Sequence, residues 1–334
     1  MSLFARPEVT ILKESSDAKE YLSKLEELQA TVKKGSPLYK KIDKEISIVK
    51  AGIIGEENIL FELKNSGMDL VVLHDICLVD PDGNSAQIDY IVITPYVNVF
   101  IECKNLLGNI EINNKGDFIR TMEYNGRKYK EGIYSPITQN ERHLLVYKKC
   151  KIAEKNFVIR LGIEYGFNEF NKSLVVLANP KTLLNDRFAP KVVKSKVIRA
   201  DQLITTLKTL KSNAKSSHDE MLGIGNKLLS LNHEDRKDYL EKFLELKKEM
   251  ESEFQSLPIP EPVTTPPSAP ASVPDPTLTP APIEAKSEEK ICPRCGSKMV
   301  LRTAMKAQYK GNQFWGCSQY PKCRYMENLI PDHD

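Results

Sequence analysis

No apolar run in these 334 residues is long enough to cross a bilayer, because Pro95 and Asn98 interrupt the longest candidate. The N-terminus also lacks a basic segment followed by an apolar one, which would mark a secretory signal. These two absences predict a soluble, cytoplasmic protein with no membrane partner. An excess of one charge is missing too: the net charge is +3 and the pI about 8.3, so composition alone does not announce a polyanionic partner. Three of the seven cysteines, Cys77, Cys103 and Cys150, stand singly in strand- or helix-like segments. They read as reduced core thiols, not a disulfide framework.

What is present is concentrated in two places, and the first is a hairpin. Gln87–Ile93 and Asn98–Lys104 are rich in β-branched and aromatic residues, and Thr94-Pro95-Tyr96-Val97 between them reads as a turn. If Ile93 pairs with Asn98, counting back places Asp89 opposite Glu102, and such side chains sit only about 5 Å apart at Cβ. Facing carboxylates repel, so a chain that sets them between apolar runs needs a compensating charge. A divalent cation would supply it. Lys104, two residues beyond Glu102, shares its face of the strand, whereas Cys103 points to the other side and into the core. Hard oxygen ligands favour Mg²⁺ or Mn²⁺, which can polarise a phosphate and acidify a bound water. Lys104 would orient that water or offset developing charge, and the chemistry implied is phosphodiester hydrolysis. The plainer alternative is a solvated edge hairpin with Lys104 as a salt-bridge partner.

Around this hairpin the segment from about Gly52 to Lys155 resembles the NERD (nuclease-related) domain of the PD-(D/E)xK nuclease superfamily. Four motifs carry the likeness: Gly52-Ile53-Ile54-Gly55-Glu56-Glu57, Gln87-Ile88-Asp89, Ile101-Glu102-Cys103-Lys104-Asn105, and Ser135-Pro136-Ile137-Thr138-Gln139 with His143 four residues on. The resemblance implies a restriction-endonuclease-like αβ sandwich. It makes Glu56 a further carboxylate reaching the metal site from a first helix, and Gln139 a phosphate or base contact. Each has a structural reading as well: an acid near a helix N-terminus suits the dipole, and Gln139 and His143 would share a helical face in any case.

The rest of the chain supports an α/β arrangement. Asp17–Lys33 carries Tyr21, Leu25, Leu28 and Val32 at helical spacing, Gly35-Ser36-Pro37 breaks it, and Ile42, Ile46, Val49 and Ile53 follow on one face. This predicts an N-terminal helical hairpin leading into the Gly55-Glu56 helix. Strands are expected over Leu70–Val79, Gly108–Ile112, Asp117–Tyr124, Ser173–Ala178 and Val192–Arg199, with Asn125-Gly126 a tight turn. Helices are expected over Pro136–Glu154, beyond Asp201 and between about Asn232 and Gln255. Helix, sheet, helix, strand suits an α/β sandwich with a mixed sheet. The division expected is 1–51 helical, 52–200 nuclease-like, 201–256 a helical extension, 257–286 a proline-rich linker and 287–330 a small metal-bound module.

Leu257–Ile283 has almost no charge and prolines every few residues, so it cannot bury a core and reads as an extended spacer. Beyond it lies the second concentration of signal. Cys292-Pro-Arg-Cys295 and Cys317-Ser-Gln-Tyr-Pro-Lys-Cys323 pair four thiols as a structural Zn²⁺ site requires. Between the outer cysteines there are six basic residues (Arg294, Lys298, Arg302, Lys306, Lys310, Lys322) and no acid. Trp315 and Tyr320, with Tyr309 and Phe314, are interleaved among them. Cations for phosphates and aromatic faces for unstacked bases are the composition expected of a single-strand binder. About half of those aromatics should instead form the module's own core. This stretch resembles the C-terminal zinc ribbons of type IA DNA topoisomerases, which implies zinc ligation and DNA contact over about thirty-five residues. Together these features point to a metal-dependent DNA nuclease with no small-molecule cofactor. A non-catalytic DNA-binding platform and a nuclease acting on RNA are the competing readings.

Overall fold

A computed structural model describes residues 7–233, 239–255, 290–303, 313–320 and 322–328. The proline-rich stretch 257–286, Lys306, Tyr309 and Lys310 lie outside the described residues. The chain divides into two compact units, residues 1–259 and 260–334.

In the first unit β1 (Val9–Lys13) is followed by helices α1 (Asp17–Ala30) and α2 (Pro37–Lys64), then by β2 (Leu70–Val79), β3 (Ser85–Ile93) and β4 (Asn98–Lys104). Next come β5 (Asn109–Ile112), β6 (Phe118–Tyr124), β7 (Arg127–Ile133), α3 (Pro136–Ile152) and α4 (Phe157–Phe170). The unit continues through β8 (Asn171–Leu177), β9 (Leu184–Asn185), α5 (Lys191–Lys194), β10 (Val197–Arg199), α6 (Leu203–Thr209), α7 (His218–Leu229) and α8 (Glu241–Gln255). A six-stranded mixed sheet runs β1-β2-β3-β4-β8-β10, with β2, β3 and β4 antiparallel and the outer neighbours parallel.

Apolar side chains leave the sheet on both sides. Val72, Tyr90, Val92, Val99 and Ile101 pack against Ile59 and Leu63 of α2 and Leu203 and Leu207 of α6. On the other face Leu73, Ile91, Ile93 and Phe100 meet Leu144 and Tyr147 of α3, Phe167 of α4 and Met221 and Leu228 of α7. This is the α/β sandwich with a mixed sheet that the sequence predicts. A second sheet, β7-β6-β5-β9, packs Ile110, Ile112 and Phe118 on Ile137 of α3 and Val175 and Leu177 of β8.

The N-terminal helices form a hairpin, with Leu25, Leu28, Leu38, Ile42 and Ile46 in one cluster that also takes Phe243 of α8. Here one expectation is corrected. Glu56 was expected near the start of a helix opening at Gly55, but α2 is a single helix from its Ser36 cap, and Glu56 lies well inside it. Gly55 answers to a contact rather than to a helix start: a Cβ there would meet Asn105 Cβ at 2.6 Å and Cys103 Sγ at 3.2 Å. The glycine lets α2 close onto the end of β4. A second difference lies in Val192–Arg199, where α5 occupies the first part and only Val197–Arg199 is strand.

In the second unit β11 (Met299–Thr303), β12 (Gln313–Cys317) and β13 (Met326–Asn328) form an antiparallel three-stranded ribbon.

Candidate active site

The β3–β4 ladder pairs Ile93 with Asn98, as expected, and ends at Tyr90 with Ile101, one residue short of Asp89 and Glu102. The backbone is irregular at that point. The β2–β3 ladder pairs His74 with Tyr90 and Ile76 with Ile88 but skips Asp75 and Asp89, and Asp75 is in the left-handed region at φ 55°, a conformation aspartate tolerates better than most residues. Ile88 and Tyr90, two residues apart, pack on opposite faces of the sheet. The strand therefore turns over at Asp89, and its carboxylate is released from the regular pleat. Asp89 Oδ2 accepts the Cys103 amide at 2.6 Å, tying the acid to the strand that carries Glu102 and Lys104.

Glu102 is 2 % exposed. Lys104 Nζ donates to its Oε1 at 2.6 Å and to Gln139 Oε1 of α3 at 3.2 Å. Glu102 Oε2 is buried with no hydrogen-bond partner among the described residues, and His143 Nδ1, equally unpartnered, lies 3.5 Å from it. Burial, then the charge of Glu102, push the Asp89 carboxyl well above its ordinary range; Glu56 adds to this, while the Cys103 amide and Lys104 oppose it. Burial also raises Glu102, against the pull of Lys104. Burial disfavours the Lys104 ammonium, yet Glu102 more than offsets that and holds the lysine above its usual value. His143 is pushed down to about 4 by burial and by Lys104. One lysine does not neutralise the acids gathered here.

On the other face, Glu56 Oε2 lies 2.9 Å from His74 Nε2. His74 Nδ1 lies 2.9 Å from the Glu14 carbonyl, which can only accept, so Nδ1 is the donor in that contact. The His74 ring stacks on Tyr90 at 4.4 Å, and the Tyr90 hydroxyl donates to the Glu56 carbonyl at 2.9 Å. Thus β2 and β3 fix both the side chain and the backbone of Glu56.

A buried carboxylate oxygen without a donor forfeits about 1–3 kcal/mol, more when charged. Glu102 Oε2, with no hydrogen bond among the described residues, and the neighbouring Asp89 carboxyl supply the oxygens here that could hold a cation. Hard oxygens fit Mg²⁺ or Mn²⁺, and two carboxylates suffice for an ion that keeps several waters. Among the described residues no three carboxylate or imidazole ligand atoms converge within 4.8 Å; the set that does is the four cysteines. In the ribbon Cys292 and Cys323 have their sulfurs 3.8 Å apart and Cys295 and Cys317 theirs 3.4 Å apart, against the roughly 3.8 Å that a tetrahedron of 2.3 Å Zn–S bonds requires. The Ser297 amide, then the Cys317 thiol, draws Cys295 down to about 6. These thiols form a Cys₄ metal-binding group suited to structural zinc.

Residues 51–178 match the family described as nuclease-related domain. The chain carries a nuclease-related domain. Residues 289–332 match the topoisomerase DNA-binding C4 zinc finger, so this domain is joined in one chain to a topoisomerase-type ribbon. A DNA topoisomerase 1 from Methanocaldococcus jannaschii is 49 % identical over 47 residues, which are 14 % of this chain and 6 % of that protein. No solved structure matches the chain.

Within the nuclease-related domain Glu102, Lys104 and Gln139 are in direct contact, Asp89 is bound to the Cys103 amide between the first two, and Glu56 approaches from α2. Sequence reasoning missed His74 and Tyr90, whose roles depend on a helix distant in the chain. It also missed Asn140, fully buried, whose Nδ2 donates to the Phe100 and Leu174 carbonyls at 2.8 and 3.2 Å and seats α3 on β4 and β8. The one local signal was the Asn next to Gln139. In the ribbon Arg294, Lys298, Arg302, Tyr320 and Lys322 are exposed, and the Arg302 guanidinium stands 6.0 Å from the Tyr320 ring centre. Trp315 packs against the cysteine cluster and serves the core.

Proposed function

We propose that this protein is a metal-dependent DNA nuclease whose ribbon holds the substrate. The observation that carries the reading is the buried Glu102, with Lys104 bonded to one oxygen, no hydrogen bond among the described residues to the other, from which His143 Nδ1 stands 3.5 Å away, and Asp89 on the adjoining amide, inside a nuclease-related domain. Asp89 and Glu102 would hold Mg²⁺ or Mn²⁺, which when bound supplies an acidified water and an electrophile for the phosphate. Lys104, kept charged by Glu102, orients the attacking water or offsets charge on the phosphate oxygens as it develops. Gln139, held by the same lysine, contacts the phosphate or base beside the scissile bond. Glu56, aimed by His74, adds its charge to the cation site from α2.

In this reading the ribbon's cysteines hold Zn²⁺, its exposed Arg294, Lys298, Arg302, Tyr320 and Lys322, with Lys306 and Lys310, bind DNA, and the proline-rich tether raises the local substrate concentration at the nuclease-related domain. Incubating the purified chain with plasmid, linear and single-stranded DNA, and with RNA, in Mg²⁺ or Mn²⁺ tests it. DNA cleavage that needs the cation is expected; no cleavage of any substrate would leave a non-catalytic binding platform, and preferential loss of RNA would reassign the polymer.

A further inference from the structure

β6 and β7 run on beyond the core that anchors them. Phe118 and Ile133, paired at the root, pack into the core under the second sheet. Outward along the same face come the ion pair of Arg120 with Glu131, then Met122 opposite Tyr129, then Tyr124 opposite Arg127 at the Asn125-Gly126 turn. All of β7 as far as Gly132 is exposed, Tyr124 by 69 % and Tyr129 by 49 %. Just past the strand Tyr134 is 59 % exposed, with the Arg142 guanidinium 5.6 Å from its ring centre. A two-stranded ribbon is marginal by itself, and aromatics left in water on one contribute no packing.

The root of this arm is joined through short stretches of chain to two elements that carry site residues, β4 and α3. Gly108, four residues after Lys104, has φ 93°, and a Cβ there would meet the Thr121 carbonyl oxygen at 2.4 Å and Met122 Cγ at 3.0 Å. Tyr134 directly precedes Ser135, the cap of α3, and Arg142 is one helical step from Gln139, the residue bonded to Lys104. Residues 118–133 hold four basic residues (Arg120, Arg127, Lys128, Lys130) and two acids (Glu123, Glu131), a net of +2. Glu131 is taken by Arg120 and Glu123 lies opposite Lys128, whereas neither Arg127 nor Arg142 has an acidic partner among the described residues.

We propose that Tyr124 and Tyr129 on this face, with Tyr134 and Arg142 at the root of the arm, form a docking ledge for an unpaired nucleic-acid strand. Its tyrosines stack exposed bases, and Arg127 and Arg142 meet the phosphates. A duplex offers no free base faces, so the partner is a single strand or a frayed end. The ledge rests on the nuclease reading for its bearing on cleavage, not for its chemistry.

Photocrosslinking tests it in the full chain, using a single strand substituted with 5-bromodeoxyuridine in buffer without added divalent cation. Adduct mapping reads the ledge and the ribbon separately. Adducts are expected on peptides holding Tyr129 and Tyr134, to be lost in Tyr129→Ala and Tyr134→Ala and kept in Tyr134→Phe. Under turnover, Tyr134→Ala should raise KM roughly fivefold or more with little change in kcat, and because the side chain is exposed its melting should match wild type. Adducts confined to the ribbon, equal competition by blunt duplex, or an unchanged KM in Tyr134→Ala would overturn the ledge. Because the adducts need no turnover, an inactive wild type would sink the nuclease reading while leaving the ledge to be judged by its own crosslinks.

Discussion

Substituting alanine at two glycines of α2, three residues apart, separates helix propensity from contact. In a helix interior Gly→Ala is worth about 1 kcal/mol in favour of alanine. At Gly52 nothing lies within 4 Å of the new Cβ, so Gly52→Ala should stabilise by about 0.5–1 kcal/mol. At Gly55 the same methyl would sit 2.6 Å from Asn105 Cβ and 3.2 Å from Cys103 Sγ, where carbon contacts ordinarily begin at about 3.5 Å. Asn105 cannot swing clear at its Cβ, so α2 or the end of β4 must move by roughly 1 Å, and overpacking of that kind costs about 1–3 kcal/mol. Gly55→Ala should therefore come out near neutral to about 2 kcal/mol destabilised, and about 1–3 kcal/mol below Gly52→Ala. Urea titration followed by far-UV circular dichroism reads the pair, because both variants share the helix term and their difference isolates the contact. A Gly55→Ala midpoint at or above that of Gly52→Ala would refute the close approach. The displacement also carries Glu56, the next residue, away from Asp89, so cleavage should fall in Gly55→Ala and stay intact in Gly52→Ala.

The folded chain binds the Asp89 proton more tightly than the unfolded chain, whose value is near the ordinary 3.8. Its contribution is therefore full below that pH and is lost as pH rises through the raised value. Melting of the cation-free protein across that range should show the loss in wild type and a flatter profile in Asp89→Asn, and Mn²⁺ should restore stability to wild type alone. His74→Ala removes a buried ring with partners on both nitrogens and should cost about 2–4 kcal/mol in urea titration; a change below 0.5 kcal/mol would show that Glu56 is held by other means. Metal analysis should find one zinc per chain, and Cys317→Ser should lose it along with most affinity for single-stranded DNA in a gel-shift titration. Retained affinity would place DNA binding outside the ribbon.

The parts of this molecule legible in its sequence are those fixed by local rules. The β3–β4 register follows from two apolar runs and a short turn, Asn125-Gly126 gives the β6–β7 turn, and the spacing of Cys292, Cys295, Cys317 and Cys323 gives the metal cluster. What escaped depends on contacts far apart in the chain. β1 is an edge strand defined by its parallel pairing to β2, and β7, Arg-Lys-Tyr-Lys-Glu-Gly-Ile, has no apolar alternation because neither of its faces is covered over most of its length. Gly52 and Gly55 looked like a helix start because glycine is costly inside a helix, and only the position of Asn105 explains why the cost is borne. The strand irregularity that frees Asp89 is invisible locally, since Asp75, which turns back in the left-handed region, belongs to the neighbouring strand. His74 is one histidine in an apolar run until α2 brings Glu56 to it.

The central claim, that Asp89, Glu102 and Lys104 form a site that cuts DNA, is tested most directly by the initial rate of cleavage of an end-labelled single strand in Mn²⁺ by wild type, Glu102→Gln and Lys104→Ala purified identically. The site as described predicts metal-dependent cleavage by wild type and a loss of roughly a hundredfold or more in each variant. Cleavage of equal rate in all three proteins, or in none, would contradict it.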